Sequence, residues 1–234
     1  MKTVNVHGFE ASSKEEFQVI QSSLVKRIKL ISDFKEEDIK LCAGVDLAYW
    51  TKGEKQYGVC CIIVIDYNTG EIIEKAYDYG EIEVPYMPGF LAFRELPLVI
   101  KTVKKLKNEP DIFMFDGNGY LHYNHMGIAT HASFFLNKPT IGVAKSYLKV
   151  AGVDFEMPES FEGAFKDIVI NEEVYGRVLR TKKDVKPIFV SCGNYIDLET
   201  CTKICSKLIN NDSRLPITVR LADLETHKRR SELS

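Results

Sequence analysis

No apolar run in this sequence approaches the roughly 20 residues that a membrane-spanning helix needs. The first residues, MKTVNVHGFEASSKEEF, turn acidic too early for a secretory signal. A soluble cytoplasmic or nuclear protein with no membrane partner is expected. Cys-x-x-Cys pairs are absent, and the six cysteines (Cys42, Cys60, Cys61, Cys192, Cys201 and Cys205) sit inside apolar stretches. That pattern favours buried thiols over disulfides or zinc. Cys201 and Cys205 can share one helical face, but a pair without histidine partners makes a poor zinc site. Excess charge of either sign is also missing: the net value is -2, so any contact with phosphate must come from local basic patches.

Other absences remove whole reaction classes. There is no Gly-x-Ser-x-Gly nucleophile elbow, no His-Glu-x-x-His helix, and no P-loop lysine or dinucleotide fingerprint around Gly117-Asn118-Gly119. His122, His125 and His131 form a local cluster, but the first falls in a loop and the spacing suits zinc poorly.

What is present is an ordinary globular composition, with 234 residues, 45% hydrophobic and 27% charged. Residues 14–31 carry Phe17, Ile20, Leu24, Val25, Ile28 and Ile31 at helical spacing. Strands are predicted at 41–49, 57–65 and 71–79, the last two joined by a hairpin at Asn68-Thr69-Gly70. A Pro/Gly loop follows at 85–89, then a helix over 90–106, a buried strand over 112–115, a helix over 126–136 and a strand over 140–143. Strands at 177–181 and 187–191 and helices at 197–209 and 219–230 complete the chain. The order predicts one α/β domain spanning 1–234, with a mixed sheet and helices on its faces.

Two acids stand out. Asp46 interrupts the apolar strand Ala43-Gly44-Val45-Asp46-Leu47-Ala48, where a buried carboxylate is costly unless it is paired or binds a cation. Asp116 closes the apolar run Ile112-Phe113-Met114-Phe115 and precedes Gly117 and Gly119. Alone, the first reads rather as a salt-bridged or edge residue, and the second equally as a turn-forming Asp-Gly. On adjacent central strands they would meet in one crevice, as a hard, oxygen-preferring cation requires. Glu95 reads from periodicity as half of a surface pair. Lys145, just past the strand 140–143, reads as a solvated lysine or a clamp for phosphate or carboxylate.

Longer segments are more specific. Ala43-Gly44-Val45-Asp46, Pro85-Tyr86-Met87-Pro88-Gly89-Phe90-Leu91-Ala92-Phe93-Arg94-Glu95 and Asp116-Gly117-Asn118-Gly119 resemble the endonuclease V family. So do Gly127-Ile128-Ala129-Thr130-His131, Pro139 through Ser146, Val190 through Thr200, Arg214-Leu215-Pro216 and Arg220-Leu221-Ala222-Asp223. The resemblance runs from about residue 41 onward in the family's order. It implies a ribonuclease H-like fold, with Asp46, Glu95 and Asp116 as catalytic acids, Lys145 as active-site lysine and Asp223 as a further metal-proximal group. Magnesium, replaceable by manganese, is the implied cofactor.

The resemblance also implies that Pro85, Tyr86, Met87 and Pro88 form a wedge, and that His122 and His131 stand near the scissile strand. Backbone groups of Gly89, Gly127 and Ser191 to Gly193 would read the base. The family's common Asp-Gly-His-Gly is here Asp-Gly-Asn-Gly. The implied activity is hydrolysis of the second phosphodiester 3′ to deoxyinosine in DNA, leaving 3′-hydroxyl and 5′-phosphate ends and initiating repair, by a monomer. An inosine-specific endoribonuclease is the alternative. A non-catalytic binding module and a small-molecule phosphohydrolase are further rivals; acids that repel phosphate disfavour the first.

Overall fold

The computed structural model describes residues 1–10 and 13–234. Its frame is an eight-stranded mixed sheet in the order β3-β2-β1-β4-β5-β8-β7-β6. Strands β1 (Leu41–Lys52), β2 (Lys55–Asp66) and β3 (Ile72–Glu81) form an antiparallel meander. The predicted turn between β2 and β3 forms because Asp66 Oδ1 accepts from the backbone N–H groups of Asn68 and Thr69, at 2.9 and 2.8 Å. Strand β4 (Ile112–Asp116) lies parallel to β1, and β5 (Thr140–Ala144) parallel to β4. Strands β6 (Phe165–Ile170), β7 (Glu173–Leu179) and β8 (Ile188–Asn194) close the other edge antiparallel.

The central strands are buried on both faces, which is why they read as unbroken apolar runs rather than alternating ones. Ala43, Val45, Phe113 and Phe115 point to one side, where they pack on α2 (Leu91–Val103) and α3 (Ile128–Leu136). Cys42, Ile112, Met114, Ile141 and Val143 point to the other, against α4 (Leu198–Lys207) and α5 (Ile217–Leu233). Gly44 lets α5 settle on β1, since a Cβ there would lie 2.1 Å from the backbone oxygen of Thr218. All six cysteines are free and buried. Among the described residues no helix is long and apolar enough to cross a membrane.

Three elements differ from their expectation. The first helix, α1 (Lys14–Val25), stops short of residue 31. Beyond it Lys29 bonds to the end of β8, its N–H donating to Asn194 Oδ1 at 2.7 Å and its carbonyl accepting from Tyr195 N–H at 2.7 Å. Those partners replace helical ones. Strand β6 was not anticipated: it is an edge strand in which Ile168 and Ile170 are buried while Phe165, Asp167 and Val169 are exposed. Strand β7 begins four residues before its expected start at 177, within a hairpin with β6.

Candidate active site

The register of β1 on β4 pairs Val45 with Phe115, so Asp46 and Asp116 are the next residues along two parallel neighbours. Both share the parity of Cys42 and Met114 and so face α5. That helix brings Asp223 over the strands. One oxygen from each of Asp46, Asp116 and Asp223 falls in a group whose members all lie within 4.8 Å of one another. The group stands in an open cleft of about 600 Å³.

Lys145, two residues past the β5 position paired with Asp116, reaches back between two of these acids. Its Nζ lies 2.5 Å from Asp116 Oδ2 and 2.6 Å from Asp223 Oδ1. Of the two alternatives left open by sequence, the lysine here clamps carboxylates. Arg214 steadies it by donating to the Lys145 carbonyl at 3.1 Å. Asp46 accepts instead from the Thr226 hydroxyl, at 2.7 Å.

The charges are unevenly shared. Burial, and then the facing Asp116 charge, push the Asp46 carboxyl up to about 7. Burial raises Asp116 as well, against the pull of Lys145. At Asp223 burial is outweighed by the hydrogen bond and charge of Lys145, with His227 and Arg220 adding to it, so its pKa falls below the ordinary value. Lys145 is held protonated because its two acids outweigh its own burial.

Glu95 comes from the opposite face, on α2, and lines the same cleft outside the three-acid group. The surface reading is overturned: the residue is 7% exposed. Helix α2 is apolar nearly all round, so the position that looked free is turned into the cleft. Burial pushes its carboxyl up to about 7, and the Tyr49 hydroxyl donates to it. The Arg94 guanidinium lies over the Tyr49 ring, 4.7 Å from its centroid, and donates to the Val84 carbonyl at 2.9 Å.

A second, smaller pocket of about 150 Å³ adjoins the cleft, and Gly117, Asn118, Ile128 and Leu148 line both. Tyr86, Pro88, Gly89, His122, Tyr123 and Gly127 form its other walls. Tyr86 is 66% exposed, which excludes an ordinary core tyrosine. Pro85 is exposed and lines neither cavity, while Met87 turns inward against Phe17, Phe90 and Phe93. Burial, and then the His125 charge, push His122 down to about 4, so it is neutral at physiological pH.

The loop from Asp116 to Tyr120 is held at van der Waals limits. A Cβ on Gly142 would come within 2.3 Å of Gly119 N, and one on Gly119 within 2.2 Å of Cys192 O.

Two expectations need correction. His131 does not reach either cavity. It is fully buried on α3 beside Phe93 and Phe135, with its Nε2 2.8 Å from His7 Nε2, because the helix turns that position toward the core. Ser191 to Gly193, expected to read the base, are part of β8 and line neither cavity. Ser191 Oγ accepts from Gly119 N–H at 2.9 Å, so this segment supports the loop from beneath.

Several groups escaped sequence reasoning: Tyr49, Thr226, His227 and Arg230. The last two line the cleft, with Arg230 donating to His227 Nδ1 at 3.1 Å and His227 Nε2 lying 3.7 Å from Asp223. The spacing of 223, 227 and 230 puts them on one helical face and was the available signal.

A family model described as Endonuclease V matches residues 22–224. The endonuclease V of Bacillus thuringiensis subsp. konkukian (strain 97-27) is 68% identical over 219 residues, covering 94% of this chain and 93% of that protein. The crystal structure of endonuclease V from Bacillus subtilis matches with a TM-score of 0.97 at 60% identity, covering 99% of this chain and 98% of that one. That of Ciona intestinalis endonuclease V, in complex with a 24mer DNA containing an inosine followed by a ribo-adenosine, matches with a TM-score of 0.79 at 27% identity, covering 94% and 98%. The mixed sheet with helices on both faces is a ribonuclease H-like α/β fold, as the resemblance implied. With a family model and close relatives matching over nearly its whole length, the chain belongs to the endonuclease V family.

Proposed function

We propose that this chain is a magnesium-dependent endonuclease that recognises deoxyinosine in DNA and hydrolyses the second phosphodiester bond on its 3′ side, initiating repair. One observation carries this reading: a three-carboxylate cleft and a separate small pocket share a wall at Gly117, Asn118, Ile128 and Leu148. A base held in the pocket is displaced from the chemistry, so it can be recognised and kept while a neighbouring phosphodiester is cut. The Ciona intestinalis relative, bound to inosine-containing DNA, supports the substrate class.

The donor set suits the cofactor. Asp46, Asp116 and Asp223 offer carboxylate oxygens alone, the ligand type of magnesium or manganese. Burial, and then the charge of a neighbouring acid, raises Asp46 and Asp116, and a divalent cation offsets both by favouring the ionised forms. Bound there, the cation would supply Lewis-acid activation of water and charge compensation at the scissile phosphate. Glu95, buried and held by Tyr49, is placed to take up a proton near neutral pH. Lys145 is the cation already at the acids; released from one carboxylate it can hold a phosphate oxygen as negative charge develops. Arg220 and Arg230 along α5 extend a positive edge for the strand.

Water attacks phosphorus, leaving a 5′-phosphate and a 3′-hydroxyl. Tyr86, stiffened by Pro85 and Pro88 and largely exposed, is suited to fill the stack vacated by an extruded base.

An inosine-specific endoribonuclease is the second reading, favoured by the ribo-adenosine that follows inosine in the Ciona ligand. Matched DNA and RNA strands, each with one inosine in magnesium, separate the two. Efficient cutting of the DNA with adenine controls intact is expected, whereas a large preference for RNA replaces the repair reading.

A further inference from the structure

The segment 180–187, between β7 and β8, holds Arg180, Lys182, Lys183 and Lys186 against a single acid, Asp184. In a chain of net charge -2 that is a local concentration of positive charge. The sheet places it beside the cleft. Strand β8 runs antiparallel to β5 with Phe189 opposite Ala144, so the residues just before Ile188 lie at the end of the sheet where β4 finishes in Asp116 and β5 leads into Lys145. Two strand spacings of about 4.8 Å separate β4 from β8, which puts the loop about 10 Å from Asp116.

Arg214 ties this loop to the site. Its guanidinium donates to the carbonyls of Pro187, at 2.5 Å, and Lys145, at 3.1 Å, and its own carbonyl accepts from the Thr181 hydroxyl at 2.7 Å. It also lies close enough to Asp116 for each to feel the other's charge. Arg180, 8% exposed, donates to the carbonyls of Pro158, Glu159 and Val185. Both arginines are thus held by main-chain carbonyls, which orient the guanidinium groups without cancelling their charge. The lysines are no better neutralised. Lys182 donates to the Asn211 carbonyl at 2.6 Å, Lys183 and Lys186 are exposed, and among the described residues no carboxylate pairs with any of the three. A solvated lysine loop needs no such anchoring, and a buried guanidinium without an acid is costly unless an anion comes to it.

We propose that the loop is a docking surface for the phosphodiester backbone of the substrate strand, with Lys183 and Lys186 on phosphates that flank the scissile one, a role that rests on the three-acid cleft being the cutting site. Phosphates follow one another at about 3.4 Å along a stacked strand, so the loop meets the strand about three phosphates from the acids. Contacts of this kind carry no base information; they add affinity and fix the register of the strand in the cleft.

The test measures binding of a single strand carrying one deoxyinosine, without divalent cation and over a range of salt concentrations, together with kcat and KM in magnesium. It compares the unaltered protein with Lys183→Gln/Lys186→Gln and with Lys101→Gln/Lys104→Gln, which removes the same charge from exposed positions on α2, a helix packed on β2 and β3 toward the other edge of the sheet. The loop pair should lower the slope of log affinity against log salt by about 0.7 per lost contact and raise KM several-fold with kcat kept. The α2 pair should leave slope and KM as they were. An unaltered slope and KM in the loop pair, or the same losses in the α2 pair, overturns the assignment. So does a fall in kcat alone, which would mean that the substitutions act through Arg214 on Lys145. An unaltered protein that neither binds nor cuts the strand overturns the functional reading instead.

Discussion

At the scale of single residues, the site is a problem of crowded negative charge. Asp46, Asp116 and Asp223 converge with Lys145 as the cation between two of them, and Asp46 is held instead by the Thr226 hydroxyl. Asp46→Asn and Asp116→Asn each remove a ligand charge with little change of volume. Since the cation's charge stabilisation is worth several kcal/mol, cutting should fall by more than about a hundredfold. Folding and some substrate binding should persist, and single-turnover kinetics with a binding assay check both; near-unaltered turnover in either variant removes that residue from the site.

The same crowding couples stability to pH. Asp46 and Glu95 are raised from ordinary values of 3.8 and 4.5 to about 7. A carboxyl whose folded pKa exceeds its unfolded one contributes stability that is fully present below the unfolded value and lost as pH rises to the folded one. The metal-free protein should therefore lose this contribution between about pH 4 and pH 7. Magnesium needs the ionised forms, so saturating magnesium should raise the melting temperature more at pH 8 than at pH 5. Equal shifts at the two pH values, by scanning fluorimetry, would contradict the assignment of these acids.

Elements place these residues, and the placement was only partly legible. Asp46 and Asp116 showed in the sequence because a carboxylate in an apolar strand breaks its pattern. Asp223 did not, because α5 carries charge along most of its length and one more acid is unremarked there. Glu95 was misread by periodicity since α2 is buried nearly all round. His131, placed near the scissile strand by the resemblance, is instead turned into the core by α3, an orientation that the short apolar helix does not show in its sequence pattern.

The docking of α5 on β1 is itself testable. Gly44→Ala puts a methyl 2.1 Å from the Thr218 carbonyl oxygen, and such overpacking typically costs about 1–3 kcal/mol. Chemical denaturation should show that loss, with activity falling further as Asp223 is displaced; an unchanged midpoint would mean that the helix has room to shift. The Pro85–Pro88 loop makes a separate prediction. Tyr86→Ala should weaken cutting of inosine in a duplex more than in a single strand, because opening a stacked pair costs a few kcal/mol that an unpaired base does not. Equal losses on the two substrates would give Tyr86 a packing or pocket role.

For the whole molecule, the sheet order explains why chemistry sits where it does. The parallel trio β1, β4 and β5 lies at the centre; Asp116 closes β4, Lys145 follows β5, and Asp46 stands midway along β1, one residue past its last pairing with β4. That much followed from apolar runs ending in Asp116 and Lys145. The closing edge was less visible, because in β6 the apolar residues do not alternate with polar ones: Phe165 and Val169 are exposed while Ile168 and Ile170 are buried. With a net charge of -2, substrate affinity has to come from the cleft and its positive edge rather than from a basic face.

The central claim is that one surface reads a base and cuts a bond displaced from it. The most direct measurement maps the products of a DNA strand bearing a single deoxyinosine, in magnesium, against the same strand with adenine and against Asp116→Asn. One nick is expected at the second phosphodiester 3′ to the deoxyinosine, with 3′-hydroxyl and 5′-phosphate ends, the base retained, and no nick in either control. Release of the base, cutting at the adenine strand, or the same nick made by Asp116→Asn would contradict it.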